Sequence, residues 1–278
     1  MNEISLPFTG ERRVGAMNSV LLLGNPVARS LSPVIQNAAF AALGIDCHYE
    51  VREVDDRSLA SVVAKLRTDE HIIGANVTIP HKEAVIPLLD ELDPLARKVG
   101  AVNTISRDGS RLKGWNTDVV GFLRALAEVD TSNSPSASGG GQGGGYRVAI
   151  IGAGGAARAV AAALQPTAGE IWIIARNLEQ ARRLCTDLGI DRGGPVDLTK
   201  LRETIARVEL VVNATPADLP PAAWLKPDQR TFDLRSRRSV EGRAMLLHQG
   251  AASFEIWTGR QAPVEVMRAA LDRESVPA

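Results

Sequence analysis

The chain has 278 residues, 45% of them hydrophobic and 23% charged, a globular composition long enough for one large domain or two ordinary ones. Lys+Arg 32 balances Asp+Glu 32, so no global charge favours nucleic acid or an anionic membrane. Cys47 and Cys185 lie far apart and the histidines form no close pair, which excludes a disulfide framework, leaves no metal-like spacing and fits the reducing cytoplasm; no apolar run reaches membrane-spanning length.

Residues 1–16 are polar and lack an apolar signal core; they are expected to be a disordered extension unless translation starts at Met17. "VLLLG" predicts a strand and "SPVIQNAAFAALG" a helix ended by Gly44. Ser32 suits the N-cap and Pro33 the first helical position. Ser30, two residues earlier, opens a second reading, in which both hydroxyls hold a carboxylate at the helix N-terminus. "CHYEVREV" predicts a strand, "RSLASVVAKLR" a helix and "IIGANVTI" a strand with Asn76 and Thr78 on one face. Pro80 stops that strand just before Lys82, and "KEAVIPLLDEL" predicts a helix with Pro87 as its kink point. "VNTISRDGSRLKGW" predicts a hairpin turning at Asp108-Gly109. Asn103 stands at its start. Asp118 begins the helix "VVGFLRALAEV", where plain capping is the alternative to a chemical role.

"TSNSPSASGGGQGGG", residues 131–145, predicts a flexible linker. Beyond it the alternation resumes through "YRVAIIGAGGAARAVAAAL", "EIWIIAR", "LEQARRLCTDLG", "ELVVNAT" and "RTFDL", and two helices, "AMLLHQGAASFEIW" and "PVEVMRAALDRE", close the chain. Two alternating series predict two α/β domains built on parallel sheets.

"GAGGAA" carries the spacing G-x-G-x-x-G/A at Gly152, Gly154 and Ala157, after an apolar strand and before an alanine-rich helix. Gly152 would make the tight turn, Gly154 would admit a pyrophosphate and Ala157 would let helix and strand pack closely. The turn residues Gly152, Ala153, Gly154, Gly155 and Ala156 are therefore candidate cofactor contacts. The next strand ends in Ala175, Arg176 and Asn177, with no acidic residue at the ribose position. Arg176 points to NADP, whose 2′-phosphate an arginine accommodates; a solvated surface arginine is the alternative.

Together "GNPVARSLSP", "GANVTIPHK", "GAVNT", "GWNTD", "GAGGAAR", "VVNAT" and "MLLHQGA" resemble the shikimate dehydrogenase family from about Val20 to Leu271. The resemblance implies NADP-linked interconversion of 3-dehydroshikimate and shikimate in aromatic biosynthesis, and a small-molecule substrate rather than nucleic acid or membrane. It implies a substrate domain (17–118 plus 243–278) to which the C-terminal helices return, a Rossmann-type NADP-binding domain (119–242), and a monomer or homodimer without metal. By position, Ser30 and Ser32 match carboxylate-binding serines. Asn76, Thr78, Asn103 and Gln249 match substrate contacts, and Lys82 and Asp118 the catalytic pair. Arg176 and Asn177 match the 2′-phosphate loop, with Asn213 and Thr215 on the cofactor side. Independently, ketone reduction needs a proton donor at the carbonyl oxygen, a role open to a lysine oriented by a carboxylate. His81 is a rival acid, though neighbours along an extended chain point apart.

After Asp233 the sequence departs from the family. Ser236 stands at the usual tyrosine position and an intervening helix is missing, which predicts an apolar patch either exposed or covered by a partner. Arg235, Arg237 and Arg238 read either as a solvated loop or as a contact for phosphate or carboxylate. Quinate or aminoshikimate dehydrogenase activity and a degenerate member without turnover are the alternative functions.

Overall fold

The computed structural model describes residues 17–132 and 145–274. The proposed extension at 1–16 and most of the linker lie outside them. In chain order the first elements are β1 (Asn18–Gly24), α1 (Ser32–Ala42), β2 (Cys47–Glu53), α2 (Leu59–Thr68) and β3 (Ile72–Val77). Then come β4 (Glu91–Leu92), α3 (Pro94–Val99), β5 (Thr104–Asp108), β6 (Arg111–Trp115) and α4 (Asp118–Ser132). Next are β7 (Arg147–Ile151), α5 (Gly155–Leu164), β8 (Glu170–Ala175), α6 (Leu178–Leu188) and β9 (Gly193–Asp197). The series closes with α7 (Leu201–Ile205), β10 (Leu210–Asn213), β11 (Arg230–Asp233), α8 (Val240–Thr258) and α9 (Val264–Asp272). Thr131 and Ser132, placed in the linker by composition, belong to α4.

The chain divides into two compact units. Among the described residues, one holds 17–97, Ala101–Thr117 and 247–274; the other holds Lys98–Gly100 and the residues within Asp118–Leu246.

In the first unit the sheet order is β2-β1-β3-β5-β6-β4. β1 pairs in parallel with both β2 and β3, so Val20–Leu23 are buried and the strand reads as an unbroken apolar run. β5 and β6 pair antiparallel, because a two-residue connection can only reverse the chain; the sheet is thus mixed rather than parallel. Asp108 pairs with Arg111, so the turn residues are Gly109 and Ser110, one position later than expected. Gly109 takes φ 58°, the left-handed conformation such hairpins use. The helix predicted over "KEAVIPLLDEL" does not form. A 3-10 turn at Ile86–Leu88 takes its place, held by i→i+3 bonds from Ile86, Leu88 and Leu89. Pro80 and Pro87 leave only six residues between them, too few for a helix whose interior would lose a donor at Pro87.

The second unit is a wholly parallel sheet ordered β11-β10-β7-β8-β9. Alanines of α5 are buried almost throughout, which lets the helix lie close on the sheet. β9 has no strand signal in "GGPVD". It is an edge strand, where Pro195 is tolerated, and a Cβ on Gly193 would stand 2.2 Å from Ile171 O. After β11 a short turn leads directly into α8. Phe232 is buried against Phe122, ring centroids 4.8 Å apart. The exposed large apolar side chains among the described residues of this unit are Leu123 at 43% and Val240 at 74%.

Candidate active site

Two loops meet at the carboxyl ends of β1 and β3 in the first unit. Asn25 N–H donates to Ile79 O at 2.9 Å and Thr78 N–H to Leu23 O at 2.8 Å. A Cβ on Gly24 would lie 2.4 Å from Thr78 Cγ2 and 2.9 Å from Ile79 O, so this approach requires glycine. Thr78 lies one residue beyond the end of β3. Ser32 is not the N-cap of α1: that position is Leu31, already helical in φ and ψ. Leu31 is buried in the core. Ser30 Oγ accepts the Ser32 N–H at 3.2 Å, so Ser30 does the capping that Ser32 was expected to do.

Behind these loops lies a network of buried amides and hydroxyls. Asn76 was expected to face a ligand hydroxyl. Its Oδ1 instead accepts the Tyr49 phenol at 2.8 Å, and its Nδ2 lies 2.9 Å from Asn103 O, 3.0 Å from Thr104 Oγ1 and 3.2 Å from Ser253 Oγ. The amide of Asn103 is held likewise. Its Oδ1 accepts the Thr117 backbone N–H at 2.8 Å, and its Nδ2 donates to Thr117 Oγ1 at 2.8 Å and to Gln249 Oε1 at 3.3 Å. An amide with its donors and acceptor engaged inside the protein orients its neighbours. Tyr49, Thr104, Thr117 and Ser253 were not singled out from the sequence. Thr104 and Thr117 stand inside "GAVNT" and "GWNTD", and Ser253 lies one helical turn after Gln249, so a spacing signal existed for these three. Nothing in an alternating strand distinguishes Tyr49. Burial pushes its phenol well above the ordinary value, with the Ser32 hydroxyl acting in the opposite direction.

Lys82 follows this loop and is half-buried; its carbonyl accepts the Val102 N–H at 2.8 Å. His81, the rival acid, is fully buried with Nε2 2.6 Å from Val54 O and Nδ1 3.5 Å from Asp56. A carbonyl can only accept, so Nε2 carries a proton and the ring clamps the loop to the segment after β2. Asp118 is the first residue of α4 and is buried.

In the second unit β7 delivers the glycine turn. Gly152 takes φ 114°, and a Cβ there would stand 3.0 Å from Thr215 Cγ2. A Cβ on Gly154 would meet nothing within 4 Å. Arg158 N–H to Gly154 O, 3.0 Å, is the first bond of α5, so the N–H groups of Gly155, Ala156 and Ala157 precede the helical ladder and an anion is favoured there. Ala153 and Ala157 are buried. Arg176 is exposed just past β8. Asn177 caps α6, its Oδ1 accepting Gln180 N–H at 3.1 Å. Asn213 is fully buried and shapes the next loop: Nδ2 donates to Ala217 O at 2.8 Å, while Oδ1 accepts from Thr215 N–H and, at 2.8 Å, from Thr215 Oγ1.

Within the basic run Arg235 takes a third course, as an internal clamp. Arg235 Nε donates to both oxygens of buried Asp233, at 3.0 and 2.9 Å, and Nη2 to Oδ2 at 2.6 Å, while Nη1 pairs with Asp218. The same contact holds the Asp218 carboxyl below its usual range. Among the described residues no cluster of His, Cys, Asp and Glu could hold a metal ion, and no helix is long and apolar enough to cross a membrane.

A parallel sheet with an open glycine turn, joined in one chain to a second α/β unit with a buried amide network, defines a two-unit α/β protein of the dinucleotide-binding class. Known proteins narrow this. Residues 22–105 match the shikimate dehydrogenase substrate binding domain, 139–223 the shikimate/quinate 5-dehydrogenase model and 242–271 the shikimate 5′-dehydrogenase C-terminal domain; residues 224–241, where the sequence departs, fall between the last two. A shikimate dehydrogenase (NADP(+)) of Moorella thermoacetica is 42% identical over 89% of this chain and 90% of its own. A Thermus thermophilus shikimate 5-dehydrogenase, solved with NADP(H) and shikimate, is similar at TM-score 0.74 and 33% identity, covering 92% of this chain and 99% of its own. A Corynebacterium glutamicum quinate dehydrogenase, solved with NAD, is similar at TM-score 0.76 and 26% identity, covering 92% and 99%. The chain belongs to the shikimate dehydrogenase family.

Proposed function

We propose that the chain is an NADP-dependent shikimate dehydrogenase that interconverts 3-dehydroshikimate and shikimate. The observation that carries this reading is the placement of Ser30, Ser32, Thr78 and Lys82 at the carboxyl ends of β1 and β3, beside the buried amide network. Ligands of open α/β sheets bind at such strand ends. In this reading residues 17–118 plus 243–278 are the substrate domain and 119–242 the NADP-binding domain.

NADP supplies the site that accepts or donates the hydride. The N–H groups of Gly155, Ala156 and Ala157 would hold its pyrophosphate, with Gly154 leaving room for it, and Arg176 would meet the 2′-phosphate. That Gly154 opens onto free space while Gly152 is hemmed in by Thr215 supports this fit. Ser30 and Ser32 hold the substrate carboxylate, and Thr78 and Gln249 its hydroxyls. During reduction Lys82 gives a proton to the carbonyl oxygen; during oxidation it takes the hydroxyl proton back. Asp118 is the second member of the proposed catalytic pair. Asn76 and Asn103 serve by orienting their neighbours. Buried, unpaired Cys47 and Cys185 support a reducing, cytoplasmic setting; the protein acts as a monomer or homodimer.

The test is a steady-state assay of shikimate-dependent NADP+ reduction, with quinate, an aminated shikimate and NAD+ as comparators. Turnover with quinate or the amine at least as efficient as with shikimate would replace the substrate assignment, and cofactor binding with no turnover on any of them would make the chain a non-catalytic member.

A further inference from the structure

The sheet order β2-β1-β3 sets β1 between two strands that do not pair with each other. Past their carboxyl ends the three chain segments are nonetheless tied into a ring. β1 and the residue after it hold the segment after β3, through Thr78 N–H to Leu23 O at 2.8 Å and Asn25 N–H to Ile79 O at 2.9 Å. β1 holds the segment after β2 through Val54 N–H to Gly24 O at 3.0 Å. The remaining side of the ring joins the two outer segments, and His81 makes it: Nε2 donates to Val54 O at 2.6 Å. Gly24, a member of the ring, has no room for a Cβ, which would stand 2.4 Å from Thr78 Cγ2 and 2.8 Å from Val27 Cγ1.

His81 is fully buried, and among the described residues the bond from Nε2 is the only one its ring makes. The exposed Asp56 carboxylate lies 3.5 Å from Nδ1, beyond ordinary hydrogen-bond reach. The backbone of His81 is held as well: its N–H donates to Thr78 O and its carbonyl accepts Val85 N–H, each at 2.9 Å. The chain leaves the ring at His81 toward Lys82, whose carbonyl accepts Val102 N–H at 2.8 Å. It leaves the ring at Asn25 toward the serines. There Val27 O accepts Ser30 N–H at 2.9 Å, and Ser30 Oγ accepts Ser32 N–H at 3.2 Å. One closed set of bonds therefore stands between the backbone that carries Ser30 and Ser32 and the backbone that carries Lys82.

We propose that His81 is a positioning residue whose bond to Val54 fixes the span between the serines that hold the substrate carboxylate and the lysine that moves the proton, a role that rests on the proposed shikimate dehydrogenase reading. Being fully buried, His81 touches no substrate atom, and it acts through the backbone of Lys82. Proton transfer needs the two partners within hydrogen-bond reach, and an error of about 1 Å in such a geometry costs about a hundredfold in rate. With the carboxylate held at one end, the substrate cannot follow a shifted Lys82 loop without breaking its own anchor. Binding therefore persists, and the cost falls on kcat.

The test uses the full chain with His81→Gln and His81→Asn. Glutamine carries an N–H donor at about the reach of Nε2, whereas asparagine carries the same amide one methylene shorter and falls short of Val54 O. A loss common to both is a packing effect, and a difference between them is the clamp. Wild-type turnover with shikimate is measured first. Its absence fails the shikimate dehydrogenase reading, and hydrogen exchange then decides the clamp by itself: the Asn25 and Thr78 amides should exchange about tenfold faster in His81→Asn and within about twofold of wild type in His81→Gln. Equal exchange in the two variants would overturn the clamp. With turnover in hand, His81→Asn should lower kcat for shikimate about ten- to hundredfold, while KM for shikimate and for NADP+ stay within about threefold. His81→Gln should keep kcat within about threefold of wild type, because its donor restores the bond. Equal kcat in the two variants, whether both fall or neither does, would overturn the positioning role, and so would a loss in His81→Asn that appears in KM instead of kcat. Should His81→Asn fail to fold, His81→Phe, which fills the space of the ring without a donor, takes its place against His81→Gln.

Discussion

Alanine placed at Gly154 and at Gly152 separates cofactor binding from folding. At Gly154 the backbone has φ −87°, which any residue adopts, and a Cβ meets no protein atom within 4 Å. The fold therefore loses at most about 1 kcal/mol, from the poorer N-cap. The methyl group would instead stand where a pyrophosphate must approach the N–H groups at the start of α5. Pushing the anion back weakens one or two charge-assisted bonds of about 1.5–3 kcal/mol, which is roughly a ten- to hundredfold rise in KM for NADP+. Gly152→Ala behaves oppositely. Its φ of 114° and the 3.0 Å approach to Thr215 Cγ2 strain the chain by about 1–3 kcal/mol. At roughly 2–4 °C per kcal/mol the melting temperature should fall by several degrees. Steady-state titration with NADP+ and thermal unfolding followed by circular dichroism measure both effects. If Gly154→Ala keeps KM for NADP+ within twofold while binding shikimate normally, the phosphates do not rest on this turn and the reasoning is refuted.

Lys82→Met should lower kcat by at least about a hundredfold with a modest change in KM for shikimate, the signature of a lost proton-transfer group; near-wild-type kcat would remove Lys82 from the mechanism. Arg176→Gln should raise KM for NADP+ about tenfold and leave KM for NAD+ unaltered, since only the former carries the 2′-phosphate; equal effects on both would dissociate Arg176 from that phosphate. Burial, helped by the neighbouring charge of Asp46, pushes the Cys47 thiol up to about 12. The unfolded chain then ionises first, so stability present below about pH 9 is lost as pH rises toward 12, at up to about 1.4 kcal/mol per pH unit. Urea midpoints across that range should fall less steeply in Cys47→Ala, and parallel slopes would contradict this. Gly74→Ala places a Cβ 2.5 Å from both Ile105 O and Trp257 Nε1, breaking the 3.0 Å bond between them. A loss of about 2–4 kcal/mol in urea unfolding is expected, and a change under 0.5 kcal/mol, taken as about the noise of a surface substitution, would show that the contact relaxes freely.

Local pattern was enough for much of this protein. "VLLLG" is a buried parallel strand because its apolar run has no polar alternation, and "GAGGAA" declares its turn because Gly152 takes a positive φ that other residues rarely adopt. Ser30, Ser32, Thr78 and Lys82 are legible as candidates from their motifs because they lie in the segments that follow β1 and β3, where short-range spacing decides position. What tertiary structure alone decided is the partner of each polar group. Asn76 and Asn103 sit on their predicted elements, yet their amides turn inward, because Tyr49, Thr104, Thr117 and Ser253 arrive from other strands and helices to engage them. Arg235 closes on Asp233 and Asp218 rather than on solvent because β11 and the loop after β10 come together. The strand "GGPVD" forms without propensity because β8 beside it offers its edge. Spacing along a chain fixes which face a side chain takes; whether the group on that face meets a ligand or another side chain depends on residues up to 177 positions away, and folding is what brings them there.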